Sequence, residues 1–173
     1  MKKKIIYFAI ICAALIIQTS MLTVFFPDYQ IPQIMLMLVI ALTLSVGFTR
    51  ALPWVILTGF AFDLVSYARI GTTVIIFVLI SYAANFFYRR FLMENKGWGL
   101  LAIVLFVAAA TVIHRMYLLF LVWAESSFQT KLAESGAFFG GLESEVFFNI
   151  ILFFLCLLIL KKIEKQPFFA YSR

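Results

Sequence analysis

The chain has 173 residues, 65% of them hydrophobic and only 13% charged, against about 25% charged in a soluble domain. No water-soluble core of this size could hide so much apolar surface, which excludes an ordinary soluble domain and makes the bilayer the solvent. The formal net charge of +6 reports topology and attraction to anionic lipid, and implies no nucleic-acid partner.

Six apolar segments are separated by short polar punctuation, and crossing the hydrocarbon core takes roughly 17 to 25 residues. The first, 5–26, follows Lys2-Lys3-Lys4 and ends at Pro27-Asp28. Its basic start looks like a signal peptide, but the apolar run is too long and no small-x-small cleavage site follows, so it is expected to remain as an anchor. The second, 31–48, places Pro32 at its start, where the missing N–H costs nothing, and ends at Thr49-Arg50. The third, 51–66, has Pro53 in its first turn and is short. The fourth, 71–88, stops at Arg89-Arg90; the fifth, 98–123, carries a Trp at each end as interfacial anchors do. The sixth, 146–160, stops at Lys161-Lys162. The expected fold is therefore all-α: one polytopic membrane domain, a bundle of about six transmembrane helices.

Orientation follows from the basic residues, because short cytoplasmic flanks retain Lys and Arg. With the N-terminus inside, Lys2, Lys3, Lys4, Arg50, Arg89, Arg90, Lys96, Lys161, Lys162, Lys165 and Arg173 all fall inside, against Arg69 and Lys131 outside and Arg115 within the membrane. Both termini are then cytoplasmic. Most connections are a few residues long, except the outer loop 124–145. There Glu125, Glu134, Glu143 and Glu145 flank an apolar stretch, Gly136-Ala137-Phe138-Phe139-Gly140-Gly141. Such a segment suits the membrane surface or a partner, with Phe138 and Phe139 as the contact candidates; a plain solvated loop is the other reading.

Ionisable groups at membrane depth are the first places to look for function, since a central charge costs roughly 2.5–3.5 kcal/mol on insertion scales. Asp63, His114 and Arg115 are the three. Asp63 falls near the C-terminal end of its helix, where a carboxylate opposes the helix dipole. Compensation is expected from the free N–H groups opening the next helix near Gly71-Thr72, or from Arg115. A structural tie among helices three, four and five is favoured over a proton relay, which would want more carboxylates at depth. His114 has no second ligand nearby, so no metal is expected. Ser81 and Asn85 share a helix face, as do Thr111 and Arg115, and with Gln18 and Asn149 they suit hydrogen bonding across helices. Cys12 and Cys156 sit in apolar runs and suggest neither a disulfide nor a metal site; Ile11 before Cys12 argues against a lipoprotein signal. Ala9 and Ala13 form a small-xxx-small pair that admits a partner helix. No phosphate loop, nucleophile elbow or zinc signature is present, so no catalytic, cofactor-binding or metal residue is assigned, and the chain is read as not an enzyme.

The third segment reads Gly59-Phe60-Ala61-Phe62-Asp63-Leu64-Val65-Ser66, with Gly71-Thr72 following. This resembles the rod-shape-determining membrane protein family MreD, whose members carry a G-x-x-x-D-L stretch, a polar turn and a glycine opening the next helix. Ile31-Pro32-Gln33-Ile34-Met35-Leu36 is similar to that family's Pro-Asp-leucine-rich opening, with Gln33 in place of the acid. The resemblance implies a non-catalytic inner-membrane subunit of the bacterial elongation machinery. Such a subunit binds an MreC-like membrane protein and other elongation-complex proteins and supports peptidoglycan synthesis, with no small-molecule substrate of its own. The rival reading is the substrate-binding S component of an energy-coupling-factor vitamin transporter, similar in size, span number and expected fold, but the outer helix halves here lack an obvious set of polar ligand-binding residues. A small ion or lipid channel is a third reading, for which one Asp and one Arg make a poor conduction path.

Overall fold

A computed structural model describes residues 2–21, 32–66, 71–92, 96–125 and 141–164. Six α-helices account for nearly all of them, and no strand occurs among the described residues. In chain order they are α1 (Lys2–Ile16), α2 (Ile34–Val46), α3 (Phe48–Val65), α4 (Thr72–Phe87), α5 (Lys96–Glu125) and α6 (Leu142–Glu164). π-Helical turns extend α1 over Ile17–Met21 and α4 over Tyr88–Leu92. The protein is an all-α membrane bundle: α3, α4 with its extension, α5 and α6 are each long and apolar enough to cross a bilayer.

α2 is the exception that organises the rest. Its 13 residues rise about 20 Å, short of the roughly 30 Å of hydrocarbon. Yet every residue from Met35 to Thr43 is buried. A helix apolar on all sides belongs inside protein, and α1, α3, α4 and α6 all pack against it. Enclosed this way, α2 has no lipid thickness to match. It ends at Gly47, the single residue before α3, whose φ of +84° is a conformation that a side chain resists. This glycine moves the start of α3 forward to Phe48, where the sequence pattern suggested Ala51, and leaves Pro53 inside the helix.

Cross-helix contacts fix the directions. Gln18 meets the start of α2, Asn149 meets Gln33, and Phe77 stacks near both Phe62 and His114. These residues define one end of the bundle. At the other, Tyr7 packs edge-on against Trp54 with ring centroids 5.6 Å apart and its hydroxyl donates to Glu164. Successive helices therefore alternate in direction. Lys4, Arg50, Arg89, Arg90, Lys161 and Lys162 all belong to this second, basic end. Outward faces carry large apolar side chains, such as Ile75, Leu79 and Phe86 on α4 and Phe147, Ile151 and Leu155 on α6, as lipid contact requires.

Enclosure of α2 makes a testable distinction. In detergent, Ile40→Ala, which empties a fully buried position, is expected to lower stability by on the order of 2 kcal/mol through lost packing. Leu105→Ala, on the lipid-facing side of α5, should leave the unfolding midpoint nearly unchanged. Equal effects in thermal unfolding would contradict a protein-enclosed α2.

Candidate functional site

The polar residues that sequence inspection singled out converge at the end of the bundle opposite the basic one. α4 begins there at Gly71, whose φ of +96° and missing side chain leave the helix without an oxygen of its own to cap its first N–H groups. Asp63, 2% exposed, supplies that oxygen from the last turn of α3. Its Oδ2 accepts from the Gly71 N–H at 2.7 Å and its Oδ1 from the Thr73 N–H at 3.2 Å. A carboxylate badly placed with respect to its own helix dipole thereby sits well with respect to the next one.

Gly59 lies one turn earlier on the same face of α3, where α4 approaches closely. A methyl group added there would fall 2.8 Å from the Val74 Cα and 3.0 Å from its N, contacts that force the backbones apart. Around Gly71, by contrast, an added methyl group meets nothing within 4 Å, so its requirement is conformational. The two glycines and Asp63 thus form one device that clamps α3 to α4.

Arg115 does not serve Asp63, as the sequence reading had allowed. Its Nη1 instead donates to Glu145 Oε2 at 2.6 Å, and both residues are buried. Glu145, expected in the outer loop, belongs to the first turn of α6 because that helix starts at Leu142. One turn along, Asn149 Nδ2 donates to Thr111 Oγ1 at 3.1 Å. Thr111 with Arg115, and Glu145 with Asn149, are both four apart, so antiparallel α5 and α6 present two matched rungs. Asn149 Oδ1 also accepts from the Gln33 N–H at 2.7 Å, and Gln18 Oε1 accepts from the Met35 N–H at 2.8 Å. Side chains from α6 and α1 therefore satisfy the N-terminus of α2. Glu145 is the residue whose importance sequence inspection missed; its i, i+4 spacing to Asn149, matching that of Thr111 and Arg115, was the available signal.

Other candidates stand apart. Asn85 is half-buried, 12 residues along α4 from Thr73, about 18 Å at helical rise. Ala9 and Ala13 are exposed on the outer face of α1. Phe138, Phe139 and most of the 124–145 segment lie outside the described residues. His114 is 1% exposed, faces Phe77 and Tyr117, and neither of its nitrogens has a hydrogen-bond partner among the described residues; the same holds for Ser81 Oγ and Tyr117 Oη. Among the described residues no three His, Cys, Asp or Glu side chains could jointly hold a metal ion. Compared with protein-family models, curated proteins and solved structures, the chain matches none.

Chemically the polar end satisfies buried backbone and holds the buried Arg115–Glu145 ion pair. Asp63→Asn keeps one of the two accepted hydrogen bonds and is expected to destabilise less than Asp63→Leu, which leaves the buried Thr73 N–H unpaired at about 1–3 kcal/mol and the part-buried Gly71 N–H without its acceptor. Gly59→Ala should cost roughly 1–3 kcal/mol through overpacking. Thermal unfolding in detergent reads all three, and an Asp63→Leu protein as stable as wild type would remove the capping role. His114→Leu tests the imidazole: with no hydrogen-bond partner to lose among the described residues, the variant is expected to match or exceed wild-type stability, and a fall of several degrees in its midpoint would show that the ring is engaged.

Proposed function

We propose that this protein is a non-catalytic integral subunit of the bacterial cell-shape machinery, resembling MreD, that grips an MreC-like membrane protein and supports peptidoglycan synthesis by the elongasome. The observation that carries the reading is the coherence of the Gly59–Asp63–Gly71 stretch. The residues on which the resemblance rests are the ones that build a single clamp between α3 and α4, so their recurrence in a family has a structural reason. A clamp of this kind holds a scaffold rigid, and each oxygen of its one carboxylate already accepts from a backbone N–H, which leaves it poorly suited to proton transfer.

A partner helix has a place to bind. Ala9 and Ala13 lie on the exposed side of α1 between Ile5 and Ile16, a low ridge that lets another helix backbone approach. In this reading the basic end faces the cytoplasm of the inner membrane, placing both termini inside and the 124–145 segment outside, where Phe138 and Phe139 offer aromatic anchors to the same partner.

Photocrosslinkers at positions 9, 13 and 138 in living cells are expected to capture an MreC-like protein, and depletion is expected to round up rod-shaped cells. Widening Ala9 or Ala13 to Leu should weaken capture without lowering the unfolding midpoint, because neither side chain packs inside the bundle. Capture of an energy-coupling transporter subunit, or co-purification of one vitamin per chain, would replace this reading with that of a transporter S component.

A further inference from the structure

The chain leaves α3 abruptly at both ends: Gly47 alone separates it from α2, and Ser66 closes it before α4 starts at Thr72. Its 18 residues rise about 27 Å, or about 25 Å at the average 20° inclination of membrane helices. Both lengths fall short of the roughly 30 Å of an average hydrocarbon core. α2 escapes that comparison because protein encloses it, but α3 does not: Ile56, Phe60 and Leu64 are exposed. The helices that flank α3 repeat its length. On α4 the exposed row Ile75, Leu79 and Phe86 lies between Gly71 and Arg89, about 27 Å apart along the helix. On α1, joined to α3 through Tyr7 and Trp54, the exposed Lys4 and the exposed Ser20 are about 24 Å apart. α5 differs, with Leu100, Leu105, Ile113 and Phe120 exposed over about 30 Å.

Backbone facing lipid does not leave a helix within the hydrocarbon, because its N–H and C=O groups would go unpaired there. The points where the chain leaves α3, at Gly47 and Ser66, therefore bound the apolar layer beside it. A long side chain such as Arg50 reaches headgroups from below that boundary, but backbone groups have no such reach. We propose that the α1–α3–α4 side of the bundle is a surface for thin bilayer. It favours lipids whose chains give a core of about 25–27 Å, and in an average membrane it draws the two leaflets together along that side. The sense of the mismatch selects this response. Tilting accommodates a helix that is too long and makes a short one shorter still. Sinking α3 into the core would strand the chain at Gly47 or Ser66, and the clamp to α4 prevents α3 from shifting alone. α5 has the longer face and meets an average bilayer, so the thinning is one-sided. This surface is independent of the cell-shape reading and would serve a transporter subunit equally.

Reconstitution of the full-length protein into phosphatidylcholine vesicles that differ only in acyl-chain length tests it, with cores from about 23 to about 35 Å on either side of the average. The thermal unfolding midpoint is expected to be highest at a core of about 25–27 Å and to fall by several degrees towards the thickest. A midpoint that is highest at about 30 Å or above, or that does not respond to thickness, overturns the proposal. Depth measurement separates thinning from burial of the helix ends. Spin labels are placed singly at Thr49→Cys and Ser66→Cys, both exposed positions, in a Cys12→Ala background where the remaining Cys156 is buried. In a bilayer of average thickness both labels are expected to stay accessible to a water-soluble relaxation agent, because the leaflets bend to meet them. Shielding of either label from that agent, with access only to dissolved oxygen, shows that the membrane keeps its thickness and covers the helix end, and overturns the proposal.

Discussion

A helix that begins inside a membrane protein brings several N–H groups that no residue of its own can satisfy, and water is not there to take them. This bundle meets that constraint with side chains borrowed from other helices. Asp63 of α3 caps α4; Asn149 of α6 and Gln18 of α1 cap α2. Each cap also specifies a neighbour, because an oxygen can reach a helix start only if its own helix runs alongside at the right height. The polar contacts that remove an energetic penalty are thus the ones that fix the order and level of the helices, something that apolar packing in lipid does weakly when tails and side chains are equally apolar.

Two hairpins emerge as tightly specified units. In α3–α4 the specification is steric and polar together: Gly59 lets the backbones meet at Val74, and Asp63 ties the turn. In α5–α6 it is a ladder, with Arg115 on Glu145 and Asn149 on Thr111. A buried ion pair adds little net stability after desolvation, yet removing one partner is strongly destabilising. Its service here is to forbid other registers, since a one-turn slip would strand both charges. α2 lies between these units with its apolar surface covered on every side, while α1 buries Tyr7, Ile11, Ala14 and Gln18 against the rest.

Much of this architecture could be read from residues alone, for physical reasons that also mark where reading stopped. Apolar runs bounded by Arg and Lys pairs located six helices, because lipid makes hydrophobicity a strong signal. Asp63 with Gly71 was recoverable as a cap, since a carboxylate at the wrong end of its own dipole needs donors and the next helix start is the nearest source. The fate of Arg115 was not. Choosing between Asp63 and Glu145 requires knowing that α6 begins at Leu142, and a helix start that carries Glu143, Ser144 and Glu145 reads as loop when hydropathy sets the boundary. The enclosure of α2 was hidden for the opposite reason: an all-apolar segment looks the same whether lipid or protein surrounds it, and only its shortness, once Gly47 is seen to end it, separates the two.

Between the two hairpins runs the α4–α5 seam, and its character differs from theirs. What holds it are ring contacts, Phe77 with His114 towards the polar end and Phe87 with Phe106 towards the basic end. Along the same seam lie the buried groups without hydrogen-bond partners among the described residues, Ser81 Oγ and His114, and an apolar hollow beside Ala84 and Ala102. Unsatisfied polar atoms and unfilled volume both lower the cost of moving apart, because little directional bonding or packing is lost by doing so. A bundle made of two specified hairpins around a covered central helix therefore has its least directional boundary along this seam, where rings rather than hydrogen bonds make the contact.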